Sequence, residues 1–118
     1  MDQPVAKISY DDILRIVKRD YPAESEKETL EILRHYKSNN DKSDYRVWAS
    51  LLKISEGNIE KLRININVAK NDFRDIVANA EYPEYTEKIG FDNGKFTREE
   101  IKRIIQSDWK QYQVWLKA

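Results

Sequence analysis

The chain has 118 residues, which sets the expectation of one domain. Its 21 basic and 21 acidic residues cancel to a formal net charge of +0, so nothing pulls it globally toward nucleic acid or an anionic membrane. With no cysteine and a single histidine, disulfide frameworks, thiolate zinc sites, cysteine nucleophiles and multi-histidine metal centres are excluded.

Three glycines and three prolines are too few turn residues for an all-β domain. The expected fold is all-α: a compact antiparallel bundle of about five helices joined by short loops. A long central helix spans about 59–81, followed by an irregular segment over 83–96, and residues 1–118 form a single helical domain. The first helix starts at Ser9 or Tyr10. Asp11 and Asp12 stand early and Arg15, Lys18 and Arg19 late, which complements the backbone dipole. Ile13, Ile16, Val17 and Tyr21 share its inner face, and Tyr21-Pro22 stops it. In the second helix Ser25 and Glu28 have capping-box spacing, and Leu30, Leu33 and Tyr36 form the stripe. Ser38-Asn39-Asn40-Asp41 is a polar turn. The third helix runs from Ser43 or Asp44 to Ile54 with Val47, Trp48, Leu51 and Leu52 inward, and Gly57 takes the left-handed position that closes it.

The fourth helix begins at the N-cap Asn58. Ile59, Leu62, Ile66, Ala69, Phe73, Ile76 and Ala80 alternate in steps of three and four, which puts them on one face. Ile64 and Val68 fall nearly opposite. A helix apolar on two sides is expected to be sandwiched between others. Tyr82-Pro83 ends it. A helical turn over Tyr85–Ile89 closed by Gly90, then the tight turn Asp92-Asn93-Gly94, lead to a second capping box at Thr97 and Glu100. The last helix carries Ile101, Ile104, Ile105, Trp109, Tyr112 and Leu116 as its stripe.

Few residues point to chemistry. Three dispersed glycines form no phosphate loop. His35 stands late in the second helix, a position that favours a solvated imidazole. Residues 93–100 match the second half of a calcium-binding EF-hand loop. Ile89 and Phe91 replace two required oxygen ligands in its first half, which leaves a turn and a capped helix. Asp72 and Asp75, three apart on a helix, could share a proton or hold a divalent ion. Lys70 and Arg74 beside them favour a balanced, solvated face. Trp109, Tyr112 and Trp115 could stack nucleobases, but the first two lie on the core stripe and no clean basic face accompanies them. The apolar runs are far below the ~20 residues of a membrane span, and no secretory leader is visible, so the cytoplasm is the expected location.

Leu51-Leu52-Lys53-Ile54-Ser55-Glu56-Gly57-Asn58-Ile59-Glu60-Lys61-Leu62, then Ala69-Lys70-Asn71-Asp72-Phe73-Arg74-Asp75-Ile76, then Ala80-Glu81-Tyr82-Pro83, together resemble a family of small uncharacterised bacterial helical proteins. Tyr21-Pro22 fits the same pattern, and the similarity covers residues 20–86. It implies a bacterial, cytoplasmic, all-helical protein and carries no catalytic residue.

The leading expectation is a non-enzymatic domain acting through an unidentified protein partner. No cofactor, metal, nucleic acid or membrane is expected to take part. The expected interaction surface is the end of the fourth helix: Asp72, Arg74, Asp75, Glu81, Tyr82 and Tyr85, with Arg74 pairing Glu81 as the purely structural reading. Two alternatives accompany it. One is an immunity-type protein that neutralises a toxin. The other is a small carboxylate- or metal-dependent hydrolase using Asp72, Asp75 and Glu81.

Overall fold

The computed structural model describes residues 4–38, 40–90 and 93–118. They form an all-α bundle with no strand among the described residues: α1 (Tyr10–Asp20), α2 (Glu26–Leu33), α3 (Asp41–Ser55), α4 (Ile59–Glu81), α5 (Pro83–Lys88) and α6 (Arg98–Lys117). Single 3₁₀ turns cover Ala23–Ser25 and Asn93–Lys95. The whole measures 47 × 30 × 25 Å.

Local chemistry sets most of the ends. Ser9 opens α1 with a reciprocal capping box, its hydroxyl taking the Asp12 N–H at 3.1 Å while the Asp12 carboxylate takes the Ser9 N–H at 3.0 Å. Thr97 and Glu100 repeat the device at α6. The Asn58 side chain accepts the Lys61 N–H at 3.0 Å and starts α4. Gly57 closes α3 at φ +76°, and a Cβ there would lie 2.5 Å from the Asp20 carbonyl oxygen. Only glycine allows the ends of α1 and α3 to approach so closely. Tyr21 adds a bond across the same junction, its hydroxyl donating to the Leu52 carbonyl at 3.1 Å.

Three expectations need correction. Ser25 makes no capping bond; its carbonyl accepts the Thr29 hydroxyl at 2.8 Å, because a 3₁₀ turn enters α2 where a free N-cap was expected. The helix then stops at Leu33, and the following turn is held from α3 instead. The buried Asp44 carboxylate takes the Ser38 N–H at 3.0 Å, and the Trp48 indole donates to the Tyr36 carbonyl at 2.8 Å. Second, the segment after Pro83 is not irregular throughout. Pro83 begins α5, proline being pre-shaped for a first helical turn, and Asp108 of α6 accepts the N–H groups of Glu84 and Tyr85 at 3.1 and 2.8 Å. That cap comes from 24 residues away. The turn signal at Asp92 and the EF-hand position at Phe91 lie outside the described residues.

Third, α4 is the long central helix, in contact with α2, α3, α5 and α6, but its second apolar flank is not covered. Leu62, Ile66, Ala69, Ile76, Val77 and Ala80 are buried, mainly against α3, whereas Ile64 and Val68 are 64% and 41% exposed. The core is centred on Ile13, Ile16, Val17, Leu33, Leu51, Leu52, Leu62 and Tyr112.

Candidate interaction surface at the break in α4

Within α4 the apolar stripe runs without interruption in the sequence, but the backbone does not. Asp72 leaves helical geometry (φ −155°, ψ 99°). Its carboxylate Oδ1 accepts the N–H of Arg74 at 3.0 Å. An extended residue whose side chain takes the N–H two positions on is an N-cap. The long helix is therefore two shorter ones in series, the second opening at Phe73 with Asp75 in its first turn. The acids read from sequence as a carboxylate pair stand at the cap and at N3, where negative charge complements the helix dipole.

The break has a visible consequence. Phe73, which the spacing places on the inner stripe, is 45% exposed. Phe73 stands at the first position of the second half-helix, on the face that Ile76, Val77 and Ala80 bury further along. Arg74 folds back onto its own cap: Nε lies 3.0 Å from Asp72 Oδ1 and Nη2 3.2 Å from Oδ2, with the Arg74 side chain 79% exposed. This guanidinium and the captured backbone N–H hold the Asp72 carboxyl below its ordinary range. Asp75 is exposed.

Glu81, Tyr82 and Tyr85 play different parts. Glu81 is fully buried and forms a two-pronged ion pair with Arg46 of α3, both N···O distances being 2.8 Å. Arg46, not Arg74, is thus the partner of Glu81. Its guanidinium is held protonated more firmly than an ordinary arginine, chiefly by the bond to Glu81 against the opposing effect of burial. Tyr82 is buried and its hydroxyl donates to the Pro4 carbonyl at 2.7 Å, which pins the extended N-terminal segment to the bundle. Burial pushes the Tyr82 hydroxyl up to about 12, and the Glu81 charge adds to that. Tyr85 is half-buried, and its N–H belongs to the Asp108 cap.

Between these groups lies a recess of about 270 Å³. Phe73, Arg74, Val77 and Tyr85 form its walls, and the Arg46–Glu81 pair forms part of its floor. Four of the six sequence-derived residues, Arg74, Glu81, Tyr82 and Tyr85, meet there; Asp72 and Asp75 are not in its lining. Sequence reasoning passed over Arg46 and Phe73. The signal for Phe73 was present, since Asn71-Asp72 followed by Asp75 is a helix-start pattern inside a helix. Arg46 lies 35 residues from its partner, and no local pattern joins them.

The carboxylate set of a hydrolase does not assemble here. Asp72 is engaged by Arg74 and Glu81 by Arg46, and no group of three or more His, Cys, Asp or Glu side chains among the described residues could hold a metal ion. His35 is exposed. No helix among the described residues is long and apolar enough to cross a membrane. Compared with known protein families, curated proteins and solved structures, the chain matches none.

Proposed function

We propose that the chain is a non-enzymatic helical domain of a bacterial cytoplasm that acts by binding another protein through the surface around Phe73, Arg74 and Tyr85. The observation that supports this reading is the exposed Phe73 ring beside a largely exposed arginine at a capped break. Aromatic and arginine side chains dominate the energetics of protein interfaces, and they do so beside small recesses that exclude water. A break in a helix also gives a surface a shape that a continuous rod lacks. The bacterial setting rests on the resemblance of residues 20–86 noted above.

The test compares three tagged chains expressed in the native host: the unaltered protein, Phe73→Glu and, as a control on the other exposed apolar site, Ile64→Glu. All are checked first for unchanged helicity and melting temperature. A protein retained by the unaltered chain and by Ile64→Glu but lost from Phe73→Glu supports the surface. Equal retention by all three removes it. A photoreactive residue at position 73 that forms no adduct in living cells removes the protein-binding reading altogether.

A further inference from the structure

Tyr21, Tyr82 and Tyr112 are the buried tyrosines of the bundle. Two of their hydroxyls donate to backbone carbonyls, Tyr21 to Leu52 at 3.1 Å and Tyr82 to Pro4 at 2.7 Å. The third does not. Tyr112 on α6 is fully buried, and its hydroxyl is the one buried side-chain polar atom among the described residues that meets no protein donor or acceptor. Removing a hydroxyl from water without replacing its hydrogen bond is costly, so native cores rarely leave one unmet.

The surroundings of this oxygen show what it faces. Burial, above all, pushes the Tyr112 hydroxyl well above an ordinary phenol; the charges that act on it are then Glu81 of α4 and Asp12 of α1, which raise it, and Arg46 of α3, which lowers it. The hydroxyl therefore stands behind the Arg46–Glu81 joint. Glu81 is itself incompletely used. A carboxylate offers about four acceptor positions, and Arg46 takes two of them through Nε and Nη2. Among the described residues no other donor reaches the Glu81 side chain, although it is sealed from solvent. A donor without an acceptor and an acceptor with unused lone pairs thus lie in one part of the core, not bonded to each other. We infer that a single buried water molecule joins them, accepting the Tyr112 O–H and donating one of its own hydrogens to Glu81.

Buried waters usually make about three hydrogen bonds. Arg46 Nη1, which donates to no protein group among the described residues, is on hand as the third partner. Arg46 also supplies the way in. It lines both the recess beside Phe73 and a second one of about 470 Å³, walled by residues 5–9, Asp12 and Ser43. Water reaches the guanidinium from either side, while the complete burial of Tyr112 and Glu81 closes the place behind it to anything larger. In this position the water is a strut. Arg46 and Glu81 tie α3 to α4, and the water ties α6 to both. The inference is independent of what docks at Phe73.

A high-resolution crystal structure of the unaltered chain is the test. It is expected to show one water oxygen about 2.8 Å from the Tyr112 hydroxyl and at a similar distance from a Glu81 carboxylate oxygen. A hydroxyl bonded directly to Glu81, a larger molecule in the water's place, or no density beside the hydroxyl overturns the proposal. The variant Tyr112→Phe, which removes one oxygen and keeps the ring, adds a second reading. Its melting temperature is expected to fall by a few degrees, because the water and Glu81 lose a partner that the ring cannot replace. A variant that melts at or above the unaltered chain also overturns the proposal, since the hydroxyl would then have had no bond to lose.

Discussion

Two arginine–carboxylate pairs sit at either end of the same half-helix and do opposite work. Arg46–Glu81 joins α3 to α4 across 35 residues of sequence, with its carboxylate sealed from water. Arg74–Asp72 spans two residues and stands in solvent. Both are two-pronged, with similar distances. The difference is the medium. Inside, a carboxylate deprived of its cation has nowhere to turn, so the pair behaves as a joint that must be kept whole. Outside, water screens either charge, and what matters is the backbone N–H that Asp72 captures. The inner pair fixes where the second half of α4 lies; the outer one fixes where that half begins.

Breaking the inner pair should have the largest effect. Arg46→Met strands a buried Glu81 and should lower folding stability by about 3 kcal/mol, read from urea denaturation. The double change Arg46→Met, Glu81→Leu should recover most of that loss, because well-packed apolar side chains replace a buried pair at little cost. A double variant as unstable as the single one would mean that the pair has a role beyond neutralising itself. Asp72→Ala comes next: it removes the cap, and a smaller but measurable drop in melting temperature is expected, with Asp72→Asn, which keeps an acceptor, close to the unaltered chain. Arg74→Ala should leave the melting temperature unchanged.

The smallest effects are in pH. Asp72 is held below the ordinary aspartate value of 3.8 by Arg74, so its contribution is complete above that value and is lost as pH falls through the lower folded one. Asp108 runs the other way. Its burial raises it above 3.8 even though two backbone N–H groups pull it down, so its contribution is present below 3.8 and is lost as pH rises through the folded value. Carboxyl carbon shifts followed by NMR should place the two titrations on opposite sides of 3.8; a shared midpoint would remove the contrast.

What could be read from the sequence follows the range of each interaction. Asn58, Gly57 and the Thr97–Glu100 box act within a few residues, and all three do in the structure what their spacing predicts. The break at Asp72 is also local, but an unbroken stripe from Ile59 to Ala80 reads as one helix, and inside it Asp72 and Asp75 read as part of a balanced, solvated face. The buried acids could not be seen in this way. Asp108 stands on α6 between Ile105 and Tyr112, among core positions, and only the arrival of α5 gives it a purpose. Arg74 and Tyr85, expected on a surface from their types and positions, line the recess. Glu81 and Tyr82, chosen on the same grounds, turned inward because Arg46 and the Pro4 carbonyl lie there to receive them.

The surface at Phe73 exists only if α4 is two helices meeting at Asp72. Amide hydrogen exchange, resolved residue by residue, tests this most directly. Rapid exchange at Phe73, between protected blocks over 62–70 and 76–81, is the predicted result; protection running unbroken from position 69 to 77 would show a single continuous rod and contradict it.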